Sequence, residues 1–208
     1  MNVVELSKEN PERNRDTIEH AATVLEDGGV ILAPTETVYG IMTLWDNEEG
    51  RKRIFSMKAR DRSKPLQMLA RDLRQVQQAG AKEAPALRAL ADTFWPGPLT
   101  IVCATTDGGS IGARVPDSEF AGALLERVGK PLAASSANHS GQPTPFTARD
   151  AAQSLEELPD LVIENDEPLE KEASTVVSLL DYDPEILRGG DIHRDQIVEA
   201  LRRHGLRK

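Results

Sequence analysis

Two periods alternate in the hydrophobic pattern of the chain, one typical of helices and the other typical of buried strands. An early helix face is marked by apolar residues at the i, i+3, i+4, i+7 spacing, namely Ile18, Ala21, Ala22 and Leu25. The Gly28-Gly29 pair ends that helix. The runs NVVEL before it and VILA after it predict strands, and VILA leads into the turn-rich PTETVYG.

The same two patterns continue to the C-terminus. Further helices are predicted from Asn47 to about Met57, over Leu73–Gln78 and Ala84–Phe94, and in SEFAGALLERVG, ARDAAQSLEEL and DQIVEALRRH. Strands are predicted in PLQMLA, PLTIVCA, IGARVP, PLAASSA, LVIE, STVVSLL and EILR. Thr147 and Asp150 have the spacing of a capping box that begins ARDAAQSLEEL.

The order of these elements predicts an α/β fold on a twisted, mixed sheet. Helices and strands alternate irregularly, and several strands follow one another too closely for helical crossovers. Because the sequence has neither a Pro/Gly/Ser-rich linker nor an internal repeat, we predict a single domain over 1–208. We interpret the acidic stretch LEELPDLVIENDEPLEKE as a solvated loop in preference to a linker.

Composition narrows the possible functions. The 208 residues include 25 Lys+Arg against 34 Asp+Glu, and this net charge of −9 argues against a surface that coats nucleic acid broadly. The sequence contains neither an apolar run of about 20 residues nor a signal-peptide pattern, so we expect no membrane contact. The one cysteine, Cys103, is interpreted as a small buried hydrophobe, and its isolation favours a cytoplasmic setting. The four histidines lack metal-ligand spacing, so we predict no protein-held metal.

Positive charge is concentrated in RKRIFSMKARDRSK, residues 51–64, which holds seven basic residues and one acidic residue. Arg51, Lys52 and Arg53 fall on a predicted helix and are interpreted as a solvated face. Lys58 and Arg60 follow where that helix ends, and in an extended turn both side chains would point at one anion. Neither G-x-x-x-x-G-K-[ST] nor G-x-G-x-x-G occurs, so any phosphate here is bound through side chains.

Three other segments offer polar groups, each with two readings. PTETVYG supplies the hydroxyls of Thr35, Thr37 and Tyr39, either as a plain turn or at the mouth of a sheet. ASSANHSGQPTPF is either a structural loop or a binding site for phosphate or carboxylate oxygens. Arg114, beside an apolar strand, is predicted to pair with an acid or with a ligand carboxylate.

The ordered motifs PTETVYG, KARDRSKPL, FWPGPLT, GARVP, SSANHSGQPT, STVV and LRGG resemble those of the YrdC-like family of threonylcarbamoyl-AMP synthases over about residues 20 to 195. The resemblance implies a YrdC-like twisted α/β sheet, mostly mixed or antiparallel, with flanking helices around a concave basic cleft. It implies a nucleotidyltransferase that makes L-threonylcarbamoyladenylate and pyrophosphate from L-threonine, bicarbonate and ATP for threonylcarbamoyladenosine modification of tRNA next to the anticodon. The alternative is a YrdC-like module that binds RNA or nucleotide without forming the adenylate; the S-x-N triplet favours the enzyme.

The resemblance also assigns residues and partners. The ATP site would comprise Lys58, Arg60, Lys64, Ser110, Ser136, Asn138, Thr144 and Arg188, of which Lys58, Arg60, Ser136 and Asn138 would act in catalysis. The threonine site would comprise Thr35, Thr37, Tyr39, Arg114 and Ser174. Mg²⁺ would be carried with ATP, and transferase proteins would receive the product, while direct contact with tRNA is left open. The family often reads KGRP where this chain has KARD, and Leu69 stands where some relatives carry a histidine.

Overall fold

The computed structural model describes residues 2–7, 10–166, 168–169 and 172–206, and the strands among them join in one sheet. In chain order the strands are β1 (Val3–Glu5), β2 (Ile31–Ala33), β3 (Gly40–Leu44), β4 (Gln67–Leu69), β5 (Leu99–Ala104), β6 (Ser110–Arg114), β7 (Leu132–Ser136), β8 (Leu161–Glu164), β9 (Thr175–Ser178) and β10 (Glu185–Arg188). The helices are α1 (Pro11–Glu26), α2 (Glu48–Met57), α3 (Leu73–Gln78), α4 (Pro85–Phe94), α5 (Glu119–Val128), α6 (Ala148–Gln153) and α7 (Arg194–Arg203). No helix in this described part is long and apolar enough to cross a bilayer.

The strand order across the sheet is β1-β8-β2-β3-β7-β4-β6-β5-β9-β10. Strand β8 runs parallel to β1 and β2, and the pairs β4/β6 and β5/β9 are also parallel. The pairs β2/β3, β3/β7, β4/β7, β5/β6 and β9/β10 are antiparallel. The prediction of a mixed sheet with flanking helices is therefore confirmed.

Strand β3 lies near the middle of the sheet, yet the sequence pattern did not predict it. All five of its residues are buried, so the alternation that marks a half-exposed strand is absent. Thr43 is tolerated inside it because its hydroxyl donates to the carbonyl of Gly29 at 2.9 Å. The strand predicted in LVIE is present as β8. Its Leu161, Val162 and Ile163 are buried, so the prediction that the acidic stretch forms a solvated loop is wrong over these residues. Residues 167, 170 and 171 of that stretch lie outside the described residues.

Apolar clusters cover both faces of the sheet. Helices α1 and α5 pack Leu25 and Leu124 against one face, while α4 and α7 pack Leu90 and Leu201 against a second cluster. Cys103 is buried in that second cluster, and burial raises the pKa of its thiol to about 11. The prediction that it is a small buried hydrophobe is confirmed.

The three cations on α2 were predicted to form a solvated face, but two of them make specific contacts. Only Lys52 fits the prediction, since its ammonium makes an exposed pair with Glu49 at 2.6 Å. The guanidinium of Arg51 lies 5.5 Å from the Trp45 ring centroid. Arg53 joins α2 to Asp160 at 2.8 Å, just before β8, so it ties two elements together.

The turn that follows α2 is tighter than the extended one predicted. The amide of Lys58 donates to Ile54 and that of Ala59 to Ser56, and Ala59 then has φ 46°. This left-handed conformation costs an L-residue with a Cβ about 1–2 kcal/mol, which a glycine does not pay. A glycine at this position would avoid that cost, and the expectation that Lys58 and Arg60 extend side by side in an extended turn is wrong.

Ala59→Gly is expected to raise the free energy of unfolding by about 0.5–1 kcal/mol, because relief of the left-handed strain outweighs the added chain entropy. Thermal unfolding should shift upward by about 1–4 °C. The matched control is Ala79→Gly at the end of α3, where φ is −81°; it should lower stability by about 0.5–1 kcal/mol. Equal effects of the two substitutions would contradict the interpretation.

Candidate functional site

A cavity of about 680 Å³ lies over the centre of the sheet. Its wall brings together eleven of the thirteen residues predicted for the site: Thr35, Thr37, Lys58, Arg60, Lys64, Ser110, Arg114, Ser136, Asn138, Ser174 and Arg188. They come from strand ends and from the loops after β2, α2 and β7. The fold therefore converts scattered motifs into one concave surface.

Tyr39 and Thr144 do not belong to this wall. Gly40 and Met42 line the cavity, so Tyr39 and Ile41, at alternate positions, face the opposite side of the sheet. The Tyr39 hydroxyl accepts a hydrogen bond from the Asn165 amide at 3.0 Å, and burial raises its pKa. Its side chain packs in the apolar cluster that also contains Ile41.

Lys58 ends α2 and is 1% exposed. Its ammonium donates to the carbonyl oxygens of Ser136 and Asn138, the latter at 2.8 Å, and to Asn138 Oδ1 at 3.1 Å. These three oxygens favour the protonated amine, whereas burial and the nearby charge of Arg60 lower the pKa of Lys58 to about 7. The group is therefore poised to change its protonation near neutral pH.

The Asn138 side chain shapes the loop after β7. Its Oδ1 accepts from the Ser136 hydroxyl at 2.6 Å, and its Nδ2 donates to the carbonyls of His139 and Gln142 at 3.0 and 2.6 Å. Both amide hydrogens are thus engaged within the loop. The S-x-N triplet holds this loop against Lys58 and presents Ser136 to the cavity.

Arg60 fixes the loop between α2 and β4. Its guanidinium donates to the carbonyls of Lys64 and Pro65 at 2.9 and 3.0 Å, which closes the loop before β4. Burial lowers the pKa of Arg60, and burial together with the charges of Arg114 and Arg60 lowers that of Arg188. Arg188 therefore lies close to both other guanidinium groups, an arrangement that a bound polyanion would stabilise.

Two short hydrogen-bond networks organise further hydroxyl groups of the cavity. The Thr35 hydroxyl donates to the Val38 carbonyl at 2.7 Å and lies 3.0 Å from that of Thr37. The Ser174 hydroxyl lies 2.9 Å from that of Thr100, and Arg188 donates to the Ser174 carbonyl at 2.8 Å. Thr100 also donates to Gln67 Oε1 at 3.0 Å. Gln67 and Thr100 were missed because a lone polar residue in a strand gives no local signal.

Arg114 is paired with an acid, one of the two partners predicted for it. Its Nη1 donates to Glu36 Oε1, and the two side chains are 2% and 11% exposed. Glu36 was not among the predicted residues, although it lies between Thr35 and Thr37. Their separation of 78 positions explains why sequence alone did not reveal the pair.

Mg²⁺ is the metal that the sequence resemblance associates with this kind of site. Among the described residues the cavity wall includes hydroxyls and carbonyls but no carboxylate, and no cluster of three His, Cys, Asp or Glu occurs in them. Such a wall suits Mg²⁺ that arrives on phosphate oxygens and keeps its waters. The residues present therefore fit a ligand-carried ion.

Comparison with known proteins gives independent findings. The Sua5/YciO/YrdC family model, described as "Telomere recombination", matches residues 23–190. The threonylcarbamoyl-AMP synthase of Pyrococcus abyssi is 34% identical over 191 residues, which is 87% of this chain and 56% of the relative. The Bacillus subtilis protein of that name is 32% identical over 207 residues, covering 95% of this chain and 58% of the relative.

A solved structure agrees with these relatives. P. abyssi Sua5 complexed with L-threonine matches with a TM-score of 0.84 at 31% identity, over 96% of this chain and 60% of that chain. This chain thus spans less than two thirds of the length of these relatives.

Proton uptake should accompany anion binding, because a polyanion beside Lys58 raises its pKa from about 7. With a pKa near 7, Lys58 of the free protein is partly neutral at pH 8, so binding of pyrophosphate should take up a fraction of a proton, and at most about one, per site. Calorimetric titrations in buffers of different ionisation enthalpy measure this number. Lys58→Arg, which is charged throughout, is the matched control and should show less uptake; identical uptake in both proteins would contradict the assignment.

Proposed function

Because the chain belongs to the Sua5/YciO/YrdC family, we propose that it is a threonylcarbamoyl-AMP synthase. It makes L-threonylcarbamoyladenylate and pyrophosphate from L-threonine, bicarbonate and ATP, for threonylcarbamoyladenosine modification of tRNA. The names of the relatives and the threonine complex of P. abyssi Sua5 support this proposal. The single observation that carries it is the convergence of eleven predicted site residues on one cavity.

The size and charge of the cavity suit these substrates. Its volume of about 680 Å³ lies within the range of about 300–1,000 Å³ typical of small-molecule sites. Lys58, Arg60, Lys64 and Arg188 are assigned to the ATP phosphates, with Ser110, Ser136 and Asn138 beside them. Thr144 lies outside the cavity wall and is assigned to ATP from the sequence resemblance alone. Thr35, Thr37, Arg114 and Ser174 are assigned to threonine, and Tyr39 supports their loop from behind.

The reaction needs positioning more than a protein nucleophile. Once the threonine amine has captured CO2 or bicarbonate, a carbamate oxygen attacks the α-phosphorus and pyrophosphate leaves. The cations neutralise charge on the phosphates, and Mg²⁺ carried by ATP adds to this effect. Ser136 and the loop held by Asn138 orient the phosphates, while the hydroxyls near Arg114 orient the amino acid.

The product is an activated carbamate, so transferase proteins must consume it at the tRNA. The cytoplasm is the expected setting for this step. The cavity is sized for small substrates, so any direct contact of this chain with tRNA would lie outside it.

Pyrophosphate release tests the proposal. With ATP and Mg²⁺, the protein should release pyrophosphate only when L-threonine and bicarbonate are both present, because the carbamate is the nucleophile. Reactions that omit each substrate in turn are the controls. No release under any condition, with nucleotide still bound, would favour a module that binds RNA or nucleotide without forming the adenylate.

Arg60→Ala should lower the rate of adenylate formation by about ten- to a hundredfold, the effect of one charged phosphate contact. The control Lys52→Ala removes the same charge from the exposed side of α2, where Lys52 pairs only weakly with Glu49; its rate should stay within about threefold of wild type. Pyrophosphate release under saturating substrates measures both. Equal losses of rate in the two variants would mean that the rate depends on the overall positive charge of the protein and not on a specific contact of Arg60.

A further inference from the structure

The buried pair between Arg114 and Glu36 leaves two atoms without a partner. Arg114 Nη1 donates to Glu36 Oε1, but the pair is end-on, so the second oxygen and the Nε–H are not engaged with each other. Among the described residues, no hydrogen-bond partner reaches either Glu36 Oε2 or Arg114 Nε. A buried polar atom that lacks a partner costs free energy, so each such atom in a native structure requires an explanation.

The two atoms are chemically complementary to one class of ligand. Arg114 Nε is a donor with a positive charge, and Glu36 Oε2 is an acceptor with a negative charge. The head of an α-amino acid carries a carboxylate and an ammonium on the same carbon. Arg114 lines the cavity, and Glu36 lies between Thr35 and Thr37, which also line it. Both atoms are covered in this structure, so a zwitterion in the cavity would satisfy them together by drawing the two side chains toward it.

Charge balance strengthens this argument. An ammonium in this cavity faces Lys58, Arg60, Arg114 and Arg188, and no carboxylate is part of the wall in the described residues. Glu36, which contacts Arg114 directly, is the negative group placed to offset this repulsion. Its Oε1 can keep Arg114 in position while its Oε2 accepts from the ligand.

We propose that Glu36 recognises the amino-acid head of the substrate by receiving its α-ammonium while Arg114 receives its carboxylate. This proposal rests on the proposed function and deepens it. It makes Glu36 a binding residue of the site, in addition to its pairing with Arg114.

The experiment compares two ligands that differ only at the α position: L-threonine and 2,3-dihydroxybutanoate of matching configuration, in which a hydroxyl replaces the ammonium. Calorimetry with a non-hydrolysable ATP analogue present gives both affinities. Glu36→Gln should weaken threonine binding by about ten- to a hundredfold, the effect of losing one charged hydrogen bond. It should leave dihydroxybutanoate binding unchanged or tighter, because Arg114 is then no longer neutralised. Glu49→Gln, on the exposed side of α2, is the matched control and should change neither affinity.

Three results would overturn the proposal. They are unchanged threonine affinity in Glu36→Gln, equal weakening of both ligands, and equal affinity of the wild type for the two ligands. Equal weakening would mean that Glu36 only holds Arg114 in place. The wild-type comparison requires no substitution, so it decides even if Glu36→Gln fails to fold. Absence of threonine binding by the wild type would instead count against the proposed function.

Discussion

One buried ammonium group joins the parts of this protein that form its cavity. Lys58 ends α2, and its Nζ contacts the backbone at the end of β7 and the loop beyond it. Such a charge is costly to remove from water, and it is tolerated because three oxygens surround it. This junction holds the end of α2, from which Arg60 follows, against the loop that begins with Asn138.

The distribution of charge follows from the same arrangement. The chain carries a net charge of −9, yet Lys58, Arg60, Arg114 and Arg188 meet at one cavity. An acidic exterior around a cationic cavity favours small anions inside it over long polyanions on the surface.

Sequence patterns predicted the parts of this fold that depend on local interactions. The boundaries of α3, the start of α2 near Asn47 and the cap at Thr147 depend on neighbours three or four residues away, so they were predicted closely. The helix predicted in ARDAAQSLEEL is shorter in the structure, since the amide of Glu156 bonds to the Met57 carbonyl instead of continuing α6. The buried β3, the side of the sheet on which Tyr39 lies and the pairing of Glu36 with Arg114 depend on contacts distant in sequence, which one chain does not reveal.

Strand β10 is the last strand in the order of the sheet, and Leu187 on it is 53% exposed. An open strand with apolar side chains is a template on which chains can aggregate. Here the register between β9 and β10 shifts between Ile186 and Arg188, and such an irregularity twists an edge away from regular pairing. Charged Glu185 and Arg188 flank the apolar pair. The irregular edge thus lets Leu187 border the cavity while it opposes pairing of this strand with a strand of another molecule.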